Sequence, residues 1–142
     1  MRVLIVTPHQ PRETGNRVTA ERHHRGLENL GHQVTIVEPD TVAFAHALTS
    51  SFDIAHLLHA HRAGAPWLAT GSPLPFAVTL TGTDIHGGLD DPAVGPTIRE
   101  VMRQAAAVIT QNRLTYAALQ DEPELRDRLR YLPPGIELGT LS

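Results

Sequence analysis

Short continuous apolar runs alternate with helical patterns along this chain. Residues 3–6 (VLIV) are apolar without interruption, the pattern of a strand buried on both faces. Residues 34–37, 54–58, 76–80 and 107–110 are similar runs with one polar position each, and 130–132 read as a shorter sixth strand. Between the first two runs, Asn16 reads as an N-cap, Ala20, Leu27 and Leu30 share one helical face, and Gly31 reads as a C-terminal stop. Thr41 caps a short helix through Leu48, and a further helix is expected near Trp67. Ile98, Val101, Met102 and Ala105 fall at helical spacing, and 113–119 form a last helix. This order predicts an α/β fold, a Rossmann-like parallel sheet with helices on both faces. No internal repeat is present. The stretch from Gly82 to Gly95, dense in Gly, Asp and Pro, reads as a mobile loop.

Parallel sheets bind ligands beyond the carboxyl ends of their strands. That edge collects the polar, glycine-bearing segments ETGNRV after the first strand, HAHRAG after the third, TGTDIHGG after the fourth and TQNR after the fifth. Their agreement in position says more than any one of them.

Composition then removes several classes. The 142 residues, 41% apolar with a formal charge of -3, suit a single domain, residues 1–142, and argue against nucleic acid as a partner. No run has the length of a membrane span and no signal-peptide pattern opens the chain, so a cytoplasmic protein is expected. Cysteine is absent, which excludes disulfides, thiolate metal sites and cysteine nucleophiles. All twelve Lys and Arg residues are arginines. A Walker-type loop and a Schiff-base enzyme both need lysine. A phosphoacceptor receiver domain needs one too, together with paired acids where this chain has Thr7, Pro8 and His9.

The individual candidates each have a bland reading beside the chemical one. Gly15, Asn16 and Arg17, at a helix start, suit a phosphate or other anion, or are a cap with a surface arginine. His56, His59 and His61 invite a metal, but His56 and His59 are an odd number apart and point to opposite faces of a continuous strand. No metal is expected, and His56 reads as a hydrogen-bonded core residue. His23 and His24 are adjacent on a helix and read as surface or rim groups. Asp84 accepts hydroxyls of a sugar or acceptor, or caps a turn. Trp67 reads as core, with sugar stacking the alternative.

The segments MRVLIVTP, LENLGHQVTIV, FDIAHLLHAH, PFAVTLTGTD, AAAVITQN and YLPPGIEL, in this order, resemble the N-terminal domain of GT-B glycosyltransferases of the retaining, family 4 type. GNRVTAERHHRGLENLGHQV with LHAHRA and VTLTGTD is similar to the subgroup that includes selenosugar synthase. The resemblance covers nearly the whole chain. It implies an acceptor-side domain whose Gly15, Asn16 and Arg17 form the loop at the donor phosphates. It implies that His59, His61, Arg62 and Gln111 line the acceptor side, and that Thr81, Gly82, Thr83 and Asp84 line the cleft. Many members carry a histidine where this chain has Thr81, so no catalytic residue is assigned. The donor would be a nucleotide-sugar and the acceptor a small molecule, with no cofactor. The donor-binding C-terminal domain is absent from these residues and is expected as a partner in cis or in trans. The chain alone is then catalytically incomplete. Two alternatives stay open: a noncatalytic anion- or nucleotide-binding module of the same fold, and a metal hydrolase resting on the histidines.

Overall fold

The computed structural model describes residues 1–8, 15–80 and 88–132, the side chains of 15–18 excepted. Among them the chain alternates β1 (Arg2–Val6), α1 (Gly15–Asn29), β2 (Gln33–Val37), α2 (Val42–Ala47), β3 (Ile54–Leu58), α3 (Gly64–Ala69), β4 (Phe76–Leu80), α4 (Gly95–Gln104), β5 (Ala107–Thr110), α5 (Arg113–Leu119) and β6 (Leu129–Tyr131). The strands form one six-stranded sheet in the order 2-1-3-4-5-6, every neighbouring pair parallel. The fold is α/β and Rossmann-like.

Strand order decides where the helices go. The chain steps one way from β1 to β2 and then travels the other way through β3 to β6. Right-handed crossovers in opposite directions place their helices on opposite faces. Accordingly, among the described residues α1 sits alone on one face, where Ala20 and Leu27 pack with Val3, Ile5 and Leu58. Alternate residues of the same strands, Leu4, Val6, Ala55 and Leu57, pack on the other face with Phe44 of α2, Trp67 of α3, Ile98 and Val101 of α4 and Leu119 of α5.

Local chemistry fixes the element ends. Helix α1 closes in a Schellman arrangement, with His32 N–H bonded to Leu27 O at 3.1 Å and Gly31 N–H to Glu28 O at 3.0 Å. Gly31 has φ +93°, which glycine adopts without a Cβ penalty. The Thr41 hydroxyl caps α2 by accepting from Phe44 N–H at 3.1 Å, and Asn112 caps α5 by accepting from Leu114 N–H at 2.8 Å and Thr115 N–H at 3.2 Å. Helices α3 and α4 meet at Gly64, where an added Cβ would stand 2.7 Å from Val101 Cγ2.

Three expectations change. The helix begins at Gly15, so Asn16 lies inside its first turn and does not cap it. Leu30 is 74% exposed because the helix ends at Asn29, which turns Leu30 off the sheet-facing stripe. The stripe is instead Ala20, His23 and Leu27, and it admits a histidine because a polar partner awaits it on β3. Of the loop from Gly82 to Gly95, whose mobility stays an expectation, residues 82–87 lie outside the described residues. Its remainder is a turn in which Asp91 Oδ1 accepts from Ala93 N–H at 2.7 Å.

Candidate functional site

The strand ends are level. Val6 pairs in register with Val37 and Leu57, Leu58 with Thr79, and Leu80 with Thr110. The residues that follow therefore share the carboxyl edge. Chain direction reverses between β1 and β3, the position at which open α/β sheets bind ligands.

On the β1 side, Gly15, Asn16 and Arg17 form the first turn of α1. On the β3 side, His59 leaves the strand with φ +108°, a conformation L residues rarely hold. Its own ring accounts for it: Nδ1 accepts from Arg62 N–H at 2.9 Å and His61 N–H at 3.2 Å, folding the chain into the start of α3. His59 is buried, His61 half-buried and Arg62 exposed. Of this trio, His61 and Arg62 reach the surface. His59 also lies outside the strand, so strand alternation does not describe its orientation relative to His56. Thr81, Gly82, Thr83 and Asp84 lie outside the described residues.

Gln111 follows β5, two strands from β3 and hence roughly 10 Å across the sheet from the His59 turn. It lines a largely apolar groove of about 400 Å³ on the α1 face with Arg22, His23, Leu27, Thr79 and Ile109. Behind that groove lies a histidine pair. The rings of His23 and His56 meet edge to face, their centroids 4.9 Å apart at 87°. His56 Nε2 also shares a 2.6 Å hydrogen bond with the Thr79 hydroxyl. Burial pushes the His56 pKa down to about 3, and the neighbouring His23 adds to it. His23 is lowered too, first by burial and then by the charge of Arg22. Both rings are neutral near pH 7. The core role foreseen for His56 is present. His23, foreseen as a surface or rim group, is half-buried at the groove with its ring drawn onto His56, and His24 pairs with Glu28 at 2.8 Å.

Two further cavities were not legible in the sequence. One of about 270 Å³ lies at the carboxyl edge between α1 and β2, lined by Thr7, Glu21, Glu38 and Thr41 among others. The Thr7 hydroxyl is buried without a hydrogen-bond partner among the described residues. The other, about 530 Å³, opens at the amino ends of the strands between Phe52, Trp67 and Pro73, away from the edge where ligands bind. Trp67 is buried among Phe44 and Phe76, with ring centroids at 6.5 and 6.4 Å, which is the core reading.

Among the described residues no group of three or more His, Asp or Glu is placed to hold a metal ion, and no helix is long and apolar enough to cross a membrane. No protein-family model matches the chain.

Proposed function

We propose that this domain is the acceptor-side half of a retaining GT-B glycosyltransferase of the family 4 type, acting with a donor-binding domain in cis or in trans. The observation that carries the reading is the convergence at one edge. The level strand ends bring the first turn of α1, the His61–Arg62 turn and Gln111 to the carboxyl side of an all-parallel sheet. The ordered set of sequence segments supports it.

In this proposal the donor is a nucleotide-sugar. The bond from the anomeric carbon to the diphosphate oxygen breaks and a bond from that carbon to the acceptor nucleophile forms. The leaving diphosphate takes the electron pair, and the acceptor proton passes to it or to solvent. Helix N–H groups of α1 and the Arg17 guanidinium stabilise the charge that grows on the diphosphate. The acceptor lies toward His61, Arg62 and Gln111. Supplying the purified chain with a donor domain, labelled nucleotide-sugars and a panel of small-molecule acceptors tests it. Transfer is expected, reduced about 100-fold or more by Arg17→Ala. A panel that gives no transfer with any donor domain sinks the reading.

The noncatalytic module is the second reading. It is favoured by the use of His56 and His59, two of the groups that invite chemistry, in holding the fold. Saturable nucleotide binding with no transfer would select it.

A further inference from the structure

The groove on the α1 face has a floor of sheet and a wall of helix. Thr79 and Ile109 pair in register on β4 and β5, and they turn to this face because Val78 and Val108 beside them pack on the other. Arg22, Gly26 and Leu30 also line the groove and stand four residues apart, which puts them on one ridge along the flank of α1. Leu30 is 74% exposed, and Leu132, which lines the groove beyond β6, is 54% exposed. Two of the most exposed large apolar side chains thus border one groove of about 400 Å³, a size and character that suit a small molecule.

Gly26 is an independent sign that the wall is kept clear. Glycine is a poor helix former, yet it stands inside α1, where an added Cβ would meet no described atom within 4 Å. The described packing gives no reason for it, whereas an occupant of the groove does, because without a side chain there it can lie against the helix backbone. Arg22 sets the sign of that occupant. Its charge reaches the His23 ring and helps to hold it neutral, which places the guanidinium at the groove's polar groups. The helix positions one turn away are Val18, Thr19, Arg25 and Gly26, so α1 sets no carboxylate beside Arg22 on its own surface. Gln111 adds an amide that donates as well as accepts. Guanidinium and amide donors next to an apolar floor match a carboxylate joined to an apolar body.

We propose that this groove binds a small carboxylic acid with an apolar body, the carboxylate on Arg22 and Gln111 and the body against Leu27, Ile109 and Leu132 beside Gly26. The site does not depend on glycosyl transfer. It shares Gln111 with the acceptor side of the proposed enzyme, but binding is read on this chain without a donor domain.

Amide NMR of the full chain titrated with 2-naphthoate, 2-naphthylmethanol, 2-naphthylmethylammonium, octanoate and acetate tests this. Naphthoate is expected to shift the amides of Arg22, Gly26, Ile109 and Gln111 saturably, and to bind about tenfold more tightly than the alcohol, the gain from hydrogen bonds to a charged group. Acetate, which has the head without the body, should bind at least about tenfold more weakly than naphthoate. Octanoate tells the source: affinity equal to that of naphthoate identifies an aliphatic acid, and weaker binding an aromatic one. Arg22→Gln should remove the preference for acid over alcohol. Gly26→Leu should fill the groove and weaken every ligand, while melting cooperatively at an unchanged or higher midpoint because leucine favours the helix. The proposal is overturned by an alcohol or ammonium that binds as tightly as the acid, by full binding to the Gly26→Leu variant, or by silence of these amides with both acids. Shifts at the same amides on raising the protein concentration alone would give the groove to a second copy and overturn it too.

Discussion

The ring of His23 on α1 meets the ring of His56 on β3 edge to face at 4.9 Å, joining the one described helix of that sheet face to the centre of the sheet. Both rings are held neutral, and this makes the stability depend on pH. In the unfolded chain each histidine takes up a proton near its ordinary value of 6.5, whereas folded His56 does so only at about 3. Between those values the unfolded state binds more protons, so stability falls as pH is lowered. The loss from His56 starts near pH 6.5 and is complete near pH 3, at up to about 1.4 kcal/mol per pH unit. Glu100, drawn down to about 2 by hydrogen bonds from Arg103 and Gln104, loses its contribution only below its ordinary 4.5. Urea melts between pH 7 and 5 therefore isolate the histidines, and His56→Gln should flatten the slope. An unchanged slope would show that His56 is not the group responsible.

Thr7→Val removes a buried hydroxyl that has no partner among the described residues. The ligand-free protein should gain stability, by up to about 1 kcal/mol, seen as a higher denaturation midpoint at unchanged m-value. A loss of more than that would mean the hydroxyl is satisfied.

At His59 two effects oppose each other. Glycine would relieve a φ of +108° but would leave the N–H groups of His61 and Arg62 without the ring that accepts them. Alanine loses the ring and keeps the strain. His59→Ala is thus expected to cost about 1 to 3 kcal/mol, and His59→Gly less, by calorimetric melting. The reverse order would show that backbone strain is negligible there.

Gly64→Ala forces a methyl against Val101, with 2.7 Å available to Cγ2. A destabilisation of about 1 to 3 kcal/mol is expected. Val101→Ala in the same chain should recover part of it, because the two sites share one contact. Additive losses would contradict the packing.

The half-buried Arg128 guanidinium donates through Nη1 to the carbonyls of Met102, Arg103 and Ala105 at 2.7, 3.1 and 2.5 Å, closing the C-terminal end of α4. Lysine carries the charge without the planar fork. Arg128→Lys should lower stability by about 1 to 2 kcal/mol and loosen amide exchange in the last turn of α4.

The strands were legible because a parallel sheet buried on both faces writes itself as continuous apolar runs. The structure gives β3, β4 and β5 the same bounds as their runs and moves β1, β2 and β6 by one residue. The caps Thr41 and Asn112 use short polar side chains to satisfy local donors, yet Asn112 stood unnoticed inside TQNR beside Gln111. What the sequence hid was tertiary. His23 looks like a surface histidine until β3 places His56 beneath it. His59 looks like a strand residue until its ring turns back onto the two amides that follow. Nothing along the chain marks Thr7 as unpartnered, since that depends on what α1 and β2 bring near it. The candidate site was legible as an edge, through its loops, and not as a set of contacts.

The strand order carries a consequence for synthesis on the ribosome. After β3 each new strand joins the sheet beside the one made just before it, always extending the same border. Only β1 is flanked on both sides by later strands. Once β3 has docked, the nascent chain can add β4, β5 and β6 in the order in which they emerge, each delivered by the helix that precedes it. No strand has to wait for a distant partner still inside the exit tunnel, and an interrupted chain ends at a border that the next strand would have covered.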